Sequence, residues 1–207
     1  MRQDQGRSGP EGAREDQRAS RDQIARKWAD SKQPKMEPMP HDFEIRRATT
    51  ADVPGIRSLV KPYAEARILL EKEAVAYYES LQEFRVADNA AGELVGCGAV
   101  HVMWEDIAEV RTLAVSSTVR GLGVGHALLE RLVEDARALG VKRVFCLTFE
   151  VEFFERHGFS VMEDQSAVDP AVLQELLRST DEGVAEFLDL ARVKQNTLGN
   201  TRMILNF

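Results

Sequence analysis

From Phe43 the pattern of apolar and polar positions changes to a regular alternation of strand-like and helix-like stretches that continues to the end of the chain. Residues 43–48 predict a first strand. Thr49, with Asp52 at the spacing of a capping box, opens a helix running to about Val60, which Pro62 is expected to interrupt. A second helix is expected near 70–81, then a strand at 84–88, a turn at 89–92, a strand at 93–103, a turn at Glu105-Asp106 and a strand at 107–115. Short connections between these strands predict antiparallel pairing. The strongest helical period spans 123–139, where Val124, Leu128, Leu132, Ala136 and Leu139 recur at spacings of three and four and Gly140 follows as a C-terminal cap. Beyond it come a buried strand at 141–148, a short helix at 150–157, a strand at 159–162, helices at 169–178 and 181–191, and a closing strand at 201–207. Antiparallel strands followed by a strand-helix-strand unit define a mixed sheet in an α/β (α+β) fold.

Residues 1–42 differ in kind. Apart from methionines their only large apolar side chains are Ile24 and Trp28, among Arg, Asp, Gln, Ser, Gly and Pro. Such a segment cannot bury enough surface to offset its ordering entropy, so it is expected to be a disordered polar extension ahead of a domain at 43–207. It has the apolar run of no signal peptide, and the chain has no membrane-length apolar stretch, so a cytoplasmic protein without membrane contact is expected. A formal charge of −7 argues against nonspecific nucleic-acid binding. Cys97 and Cys146 stand far apart in strand-like surroundings, and the four histidines are scattered. Buried thiols and no metal site are the expectation.

The chemistry concentrates in Glu109 to Leu132, EVRTLAVSSTVRGLGVGHALLERL, where a strand leads through a polar turn into a glycine-rich turn and then an amphipathic helix. Gly121, Gly123 and Gly125 remove side chains where a ligand approaches backbone, and a new helix offers unpaired N–H groups and a positive dipole end. That combination suits phosphate, with Arg120 adding a delocalised charge. A P-loop is excluded by the lack of a Gly-Lys-Ser/Thr ending, and a dinucleotide fold by the order of elements. The string resembles motif A of the GNAT acetyltransferases, with Arg120, Gly123 and Gly125 in register, and FFERHGF at 153–159 resembles a later motif of that family.

The resemblance implies a mostly antiparallel sheet splayed at the acetyl-CoA site, with helices on both faces. It implies coenzyme binding by backbone of Leu113, Ala114 and Val115 and by the turn Arg120, Gly121, Leu122, Gly123, Val124, Gly125 and His126. It further implies an amide at Leu113 facing the thioester oxygen and Glu109 as the base that accepts the ammonium proton. The tyrosine that reprotonates the thiolate in many relatives is replaced by Phe154, leaving Tyr63, Tyr77, Tyr78, Thr148 or water for that role.

The stretch at 62–88, with its Ile68-Leu69-Leu70 core, together with Leu147-Thr148 and Asn200-Thr201-Arg202, is similar to amino-acid N-acetyltransferases of the N-acetylglutamate synthase type. That likeness implies acetylation of the α-amine of L-glutamate or L-glutamine, as in the first step of arginine biosynthesis, and substrate carboxylates held by Lys72, Arg111 and Arg202. A homodimer is compatible with it. Two other readings stay open: acetylation of protein N-termini or lysines, and a noncatalytic acyl-coenzyme A-binding module.

Overall fold

The computed structural model describes residues 43–162, 170–188 and 199–207, all within one unit at 41–207. The expected disordered extension at 1–42 lies outside the described residues. In chain order the elements are β1 (Phe43–Arg47), α1 (Val53–Glu65), α2 (Ala74–Glu79), β2 (Phe84–Asn89), β3 (Leu94–Trp104), β4 (Ile107–Val115), α3 (Val124–Ala138), β5 (Arg143–Thr148), α4 (Val151–Glu155), β6 (Ser160–Val161), α5 (Pro170–Leu176), α6 (Glu182–Phe187) and β7 (Thr201–Asn206).

The seven strands form one sheet in the order β1-β2-β3-β4-β5-β7-β6. Every neighbouring pair is antiparallel except β4 and β5. Helix α3 covers one face, where Leu129, Leu132 and Ala136 pack on Val110, Val144 and Met203. On the other face α1 packs Val53, Ile56 and Val60 onto Val86, Cys97 and Ala99. Leu176 of α5 and Val184 of α6 pack there on Met103, Ile107 and Phe145. Gly96 lets α3 come close, because a Cβ there would stand 2.7 Å from Leu128 Cδ1.

Two features of β4 shape the site. Its parallel pairing with β5 joins only Ile107, Ala108 and Glu109 to Arg143, Val144 and Phe145, while β4 runs on to Val115 and β5 continues along β7. The two strands therefore part beyond Glu109. In addition, the register with β3 moves from Ala99↔Arg111 to Cys97↔Ala114, three steps on β4 against two on β3. The extra residue falls at Thr112, a buried β-branched residue at φ 56°, a strained backbone angle. The bulge turns Glu109 and Arg111 toward one face and Leu113 into the packing beneath α3.

Two expected boundaries shift. Pro62 lies inside α1, which continues through it to Glu65. The last turn survives the missing donor because Tyr63 is anchored from outside, its hydroxyl donating to Val115 O at 2.5 Å. The second helix covers only Ala74–Glu79, since Arg67 at φ 59° and extended Glu73 keep the preceding residues out of it. The apolar run Ile68-Leu69-Leu70 lines a pocket instead.

Candidate active site

Glu109 stands at the last paired position before β4 and β5 separate, and its side chain enters a pocket lined by Ile68, Leu70, Lys72, Leu147, Gly183 and Asn200. It is only 4% exposed, and its Oε2 has no hydrogen-bond partner among the described residues. Burial pushes the carboxyl pKa up to about 7, against the pull of Arg111 and Lys72 and with help from Asp181. A carboxylate titrating at that pH is well matched to taking a proton in neutral solution. Gly183, at the start of α6, closes over it so tightly that a Cβ there would lie 2.6 Å from Glu109 Oε2.

The three expected carboxylate binders have different surroundings. Lys72 faces the pocket, and burial lowers its pKa, with neighbouring Arg111 adding to the effect. Arg111 is committed to the protein's own acids: Nη1 donates to Asp181 at 3.0 and 2.9 Å, and Nη2 to Glu83 Oε2 at 2.8 Å. Arg202 is the register partner of Leu147, a residue of the pocket wall. Glu83, His101, Asp181 and Gly183 were not singled out from the sequence. Asp181 alone carried a readable signal, an acidic residue ahead of a helical period; Gly183 follows it on α6, and Glu83 and His101 are brought in by a turn and a strand distant from both in the chain.

The coenzyme candidates lie along the parted edge of β4 and into the turn beyond it. Ser116 N bonds Val95 O on β3, so the N–H and C=O of Val115 point the other way, into the gap. Both meet the Tyr63 hydroxyl, the N–H donating to it at 3.4 Å. Gly123 is the N-cap of α3 at φ 86°, a left-handed angle that glycine adopts without strain, and open space surrounds its Cβ position. Arg120 precedes this turn in extended backbone, and Leu122 is exposed within it. Gly125, by contrast, directs its missing Cβ toward Val115 and Phe153 at ordinary contact distances. His126 sits in the first turn of α3 with Nδ1 3.1 Å from His157 Nε2, and burial lowers its pKa.

Among the residues left for thiolate reprotonation, Tyr63 alone reaches the β4 edge by an observed hydrogen bond. Tyr77 is buried against Phe84, and desolvation raises its pKa to about 12. Tyr78 is exposed, and Thr148 Oγ1 accepts from Glu150 N at 2.8 Å. Phe154 is core, edge-on to Phe159. No group of three or more His, Cys, Asp or Glu among the described residues could hold a metal ion, and no helix among them is long and apolar enough to cross a membrane.

A sheet parted beside a buried carboxylate, with the parted strand leading into a glycine turn and a helix N-terminus, is the arrangement of an acyl-coenzyme A acetyltransferase. The chain belongs to the acetyltransferase (GNAT) family, whose model matches residues 54–159, and acetyl-CoA is its acetyl donor. It is 54% identical over 163 residues to the amino-acid acetyltransferase of Mycobacterium tuberculosis, covering 78% of this chain and 92% of that one. A Mycobacterium tuberculosis protein solved in complex with CoA and a second ligand, NLQ, superposes with a TM-score of 0.75 at 53% identity, covering 79% of this chain and 99% of that one. The fold also matches N-acetylglutamate synthase from Neisseria gonorrhoeae, complexed with coenzyme A and N-acetyl-glutamate, at TM-score 0.65 and 24% identity. There 79% of this chain corresponds to 35% of that one.

Proposed function

We propose that this enzyme acetylates the α-amino group of a small amino acid, L-glutamate or L-glutamine, by direct attack of the amine on the thioester of acetyl-CoA, as in the first step of arginine biosynthesis. The observation that carries the reading is the buried Glu109 Oε2, unpaired among the described residues, in a pocket shared with Lys72. The amino-acid acetyltransferase relative, matched over 78% of this chain, supports the acceptor class.

The ammonium group of the acceptor gives a proton to Glu109, and the freed amine forms the new C–N bond at the thioester carbon. The backbone amide of Leu113 is the donor toward the developing oxyanion. As the C–S bond breaks, the thiolate takes a proton from Tyr63 or from water, and the second proton released by the new amide nitrogen restores that donor. The donor's arm runs in the gap along Leu113, Ala114 and Val115, and its pyrophosphate meets Arg120, Gly121, Gly123 and the first N–H groups of α3. Lys72 and Arg202 hold the acceptor's carboxylate. Arg111, whose Nη1 and Nη2 donate to Asp181 and Glu83, orders the pocket wall rather than the acceptor. The reaction needs no membrane or nucleic acid and suits the cytoplasm.

Thiol release measured across a panel of amino acids tests the reading. Glutamate or glutamine should turn over fastest, and amines without a carboxylate poorly. A single cation facing a carboxylate contributes about 1.5 to 3 kcal/mol, so Lys72→Ala and Arg202→Ala should each raise the Michaelis constant for the acceptor roughly tenfold to a hundredfold. The constant for acetyl-CoA should hold. Equal turnover of carboxylate-free amines would overturn the acceptor assignment while leaving the acetyltransferase intact.

A further inference from the structure

Glu109 and Arg111 stand two residues apart on one strand and face the same side of the sheet, the setting in which a carboxylate and a guanidinium normally pair. A charge-assisted hydrogen bond between them would span about 2.7 to 2.9 Å. Here Arg111 Nη1 and Glu109 Oε2 form only a long ion pair at 3.8 Å, and that oxygen has no hydrogen-bond partner among the described residues. The guanidinium is drawn away by two other acids. Asp181 takes Nη1 with both oxygens, and Glu83 takes Nη2.

We propose that Asp181 and Glu83 are positioning residues that hold the Arg111 guanidinium beyond hydrogen-bond distance of Glu109, so that the buried Glu109 Oε2 keeps an unpaired lone pair for the proton of the attacking amine. Each holder is itself held. Glu83 Oε1 bonds His101 Nδ1 at 2.7 Å, and Asp181 Oδ1 accepts the N–H groups of Gly183 at 2.8 Å and Val184 at 3.1 Å. Those two bonds also fix the start of α6, which lays Gly183 against the open oxygen. Arg111 thereby keeps a neutralising neighbourhood, and the base keeps a vacant lone pair.

The charges around Glu109 show what the arrangement prevents. Lys72 faces it from the segment before α2, Arg111 from its own strand, His101 from β3 and Asp181 from the approach to α6. The first three favour the ionised carboxylate and Asp181 opposes it, with burial the largest influence of all. An Arg111 released onto Glu109 would hold the carboxylate ionised at lower pH and occupy its lone pair, making it a weaker base. Removing Asp181 acts twice in that direction, since its own negative charge is lost as well.

The proposal rests on Glu109 as the base, and the experiment separates the two ideas. The pH dependence of kcat/KM for the acceptor, at saturating acetyl-CoA, is compared in the wild type, Asp181→Asn, Glu83→Gln and Glu109→Gln. The wild-type acid limb should fall near pH 7. In Asp181→Asn and Glu83→Gln it should move about one pH unit lower, with a plateau reduced roughly tenfold. Glu83→Gln leaves the α6 cap intact, so the test stands even if Asp181→Asn unfolds. A limb unmoved in folded Glu83→Gln, with or without a lower plateau, overturns the positioning role, because a merely structural defect reduces activity without shifting the limb. A limb that persists unchanged in Glu109→Gln overturns the base assignment instead.

Discussion

Burying Glu109 raises its pKa from 4.5 to about 7, so between those values the folded chain keeps a proton that the unfolded chain gives up. The folded state binds more protons in that window, and this group's contribution to stability therefore falls as pH rises through it, by on the order of 3 kcal/mol in all. Glu109→Gln removes the ionisation. Denaturant unfolding at pH 8 should show the variant more stable than the wild type, and at pH 4 the difference should vanish. Turnover should drop by about two orders of magnitude at neutral pH and recover in part at high pH, where free amine is abundant. Gly183 is bound to the same carboxylate by lack of space. Gly183→Ala places a Cβ where 2.6 Å separates it from Oε2, so α6 or Glu109 must shift. Activity should fall at least about tenfold, with stability reduced by about 1 to 3 kcal/mol, while calorimetry finds acetyl-CoA binding preserved.

Helix α3 depends on how its two ends are tied. At its N-terminus Gly123 holds a left-handed angle, and the space its absent side chain leaves is open. Gly123→Val strains the turn and fills the place assigned to the pyrophosphate, so acetyl-CoA affinity measured by calorimetry should fall by more than about tenfold, together with a loss of about 1 to 2 kcal/mol of stability. Gly125 makes a useful contrast, since its side-chain direction runs to Val115 and Phe153 without a clash. Near its other end α3 is joined to β2 by Arg85, whose Nε and Nη2 donate to Asp135 at 2.5 and 2.7 Å. Arg85 is buried. Asp135→Ala strands that charge and should cost about 3 to 5 kcal/mol in chemical denaturation, with the Michaelis constants unchanged because the pair lies on the covered face of the sheet.

Across the whole molecule, the site is made by strands that run together and then part. β4 contributes Glu109, the proposed base, and the edge proposed to meet the coenzyme, β5 and β7 the far wall, α1 the Tyr63 hydroxyl, and α6 the cover. Residues 1–42 have a composition that gives them little apolar surface to bury. Deleting them should leave the melting temperature and turnover nearly unchanged, and calorimetric melting with a thiol-release assay checks both.

Most elements were legible in the sequence because they rest on local causes. The alternation of β4, the three-and-four period of α3 and the cap at Gly140 each express a preference that acts over a few residues, and Gly140 indeed takes φ 86°. The Arg120–Gly125 turn was readable for the same reason, as residue types at short spacings, whereas Glu109 was singled out only through the resemblance of its strand to the family's motif. The helix over 70–81 misled, because its apolar residues satisfy either a helix face or a pocket wall, and only packing chooses. Arg111 shows the limit most clearly. Its charge and its strand position were readable, but its partners come from a turn 28 residues before it and a helix start 70 residues after it. Sequence determined which groups this chain can bring to the reaction. Tertiary structure alone decided which carboxylate is buried and open and which cation is already neutralised, because desolvation and ion pairing depend on distances between residues that the chain keeps far apart.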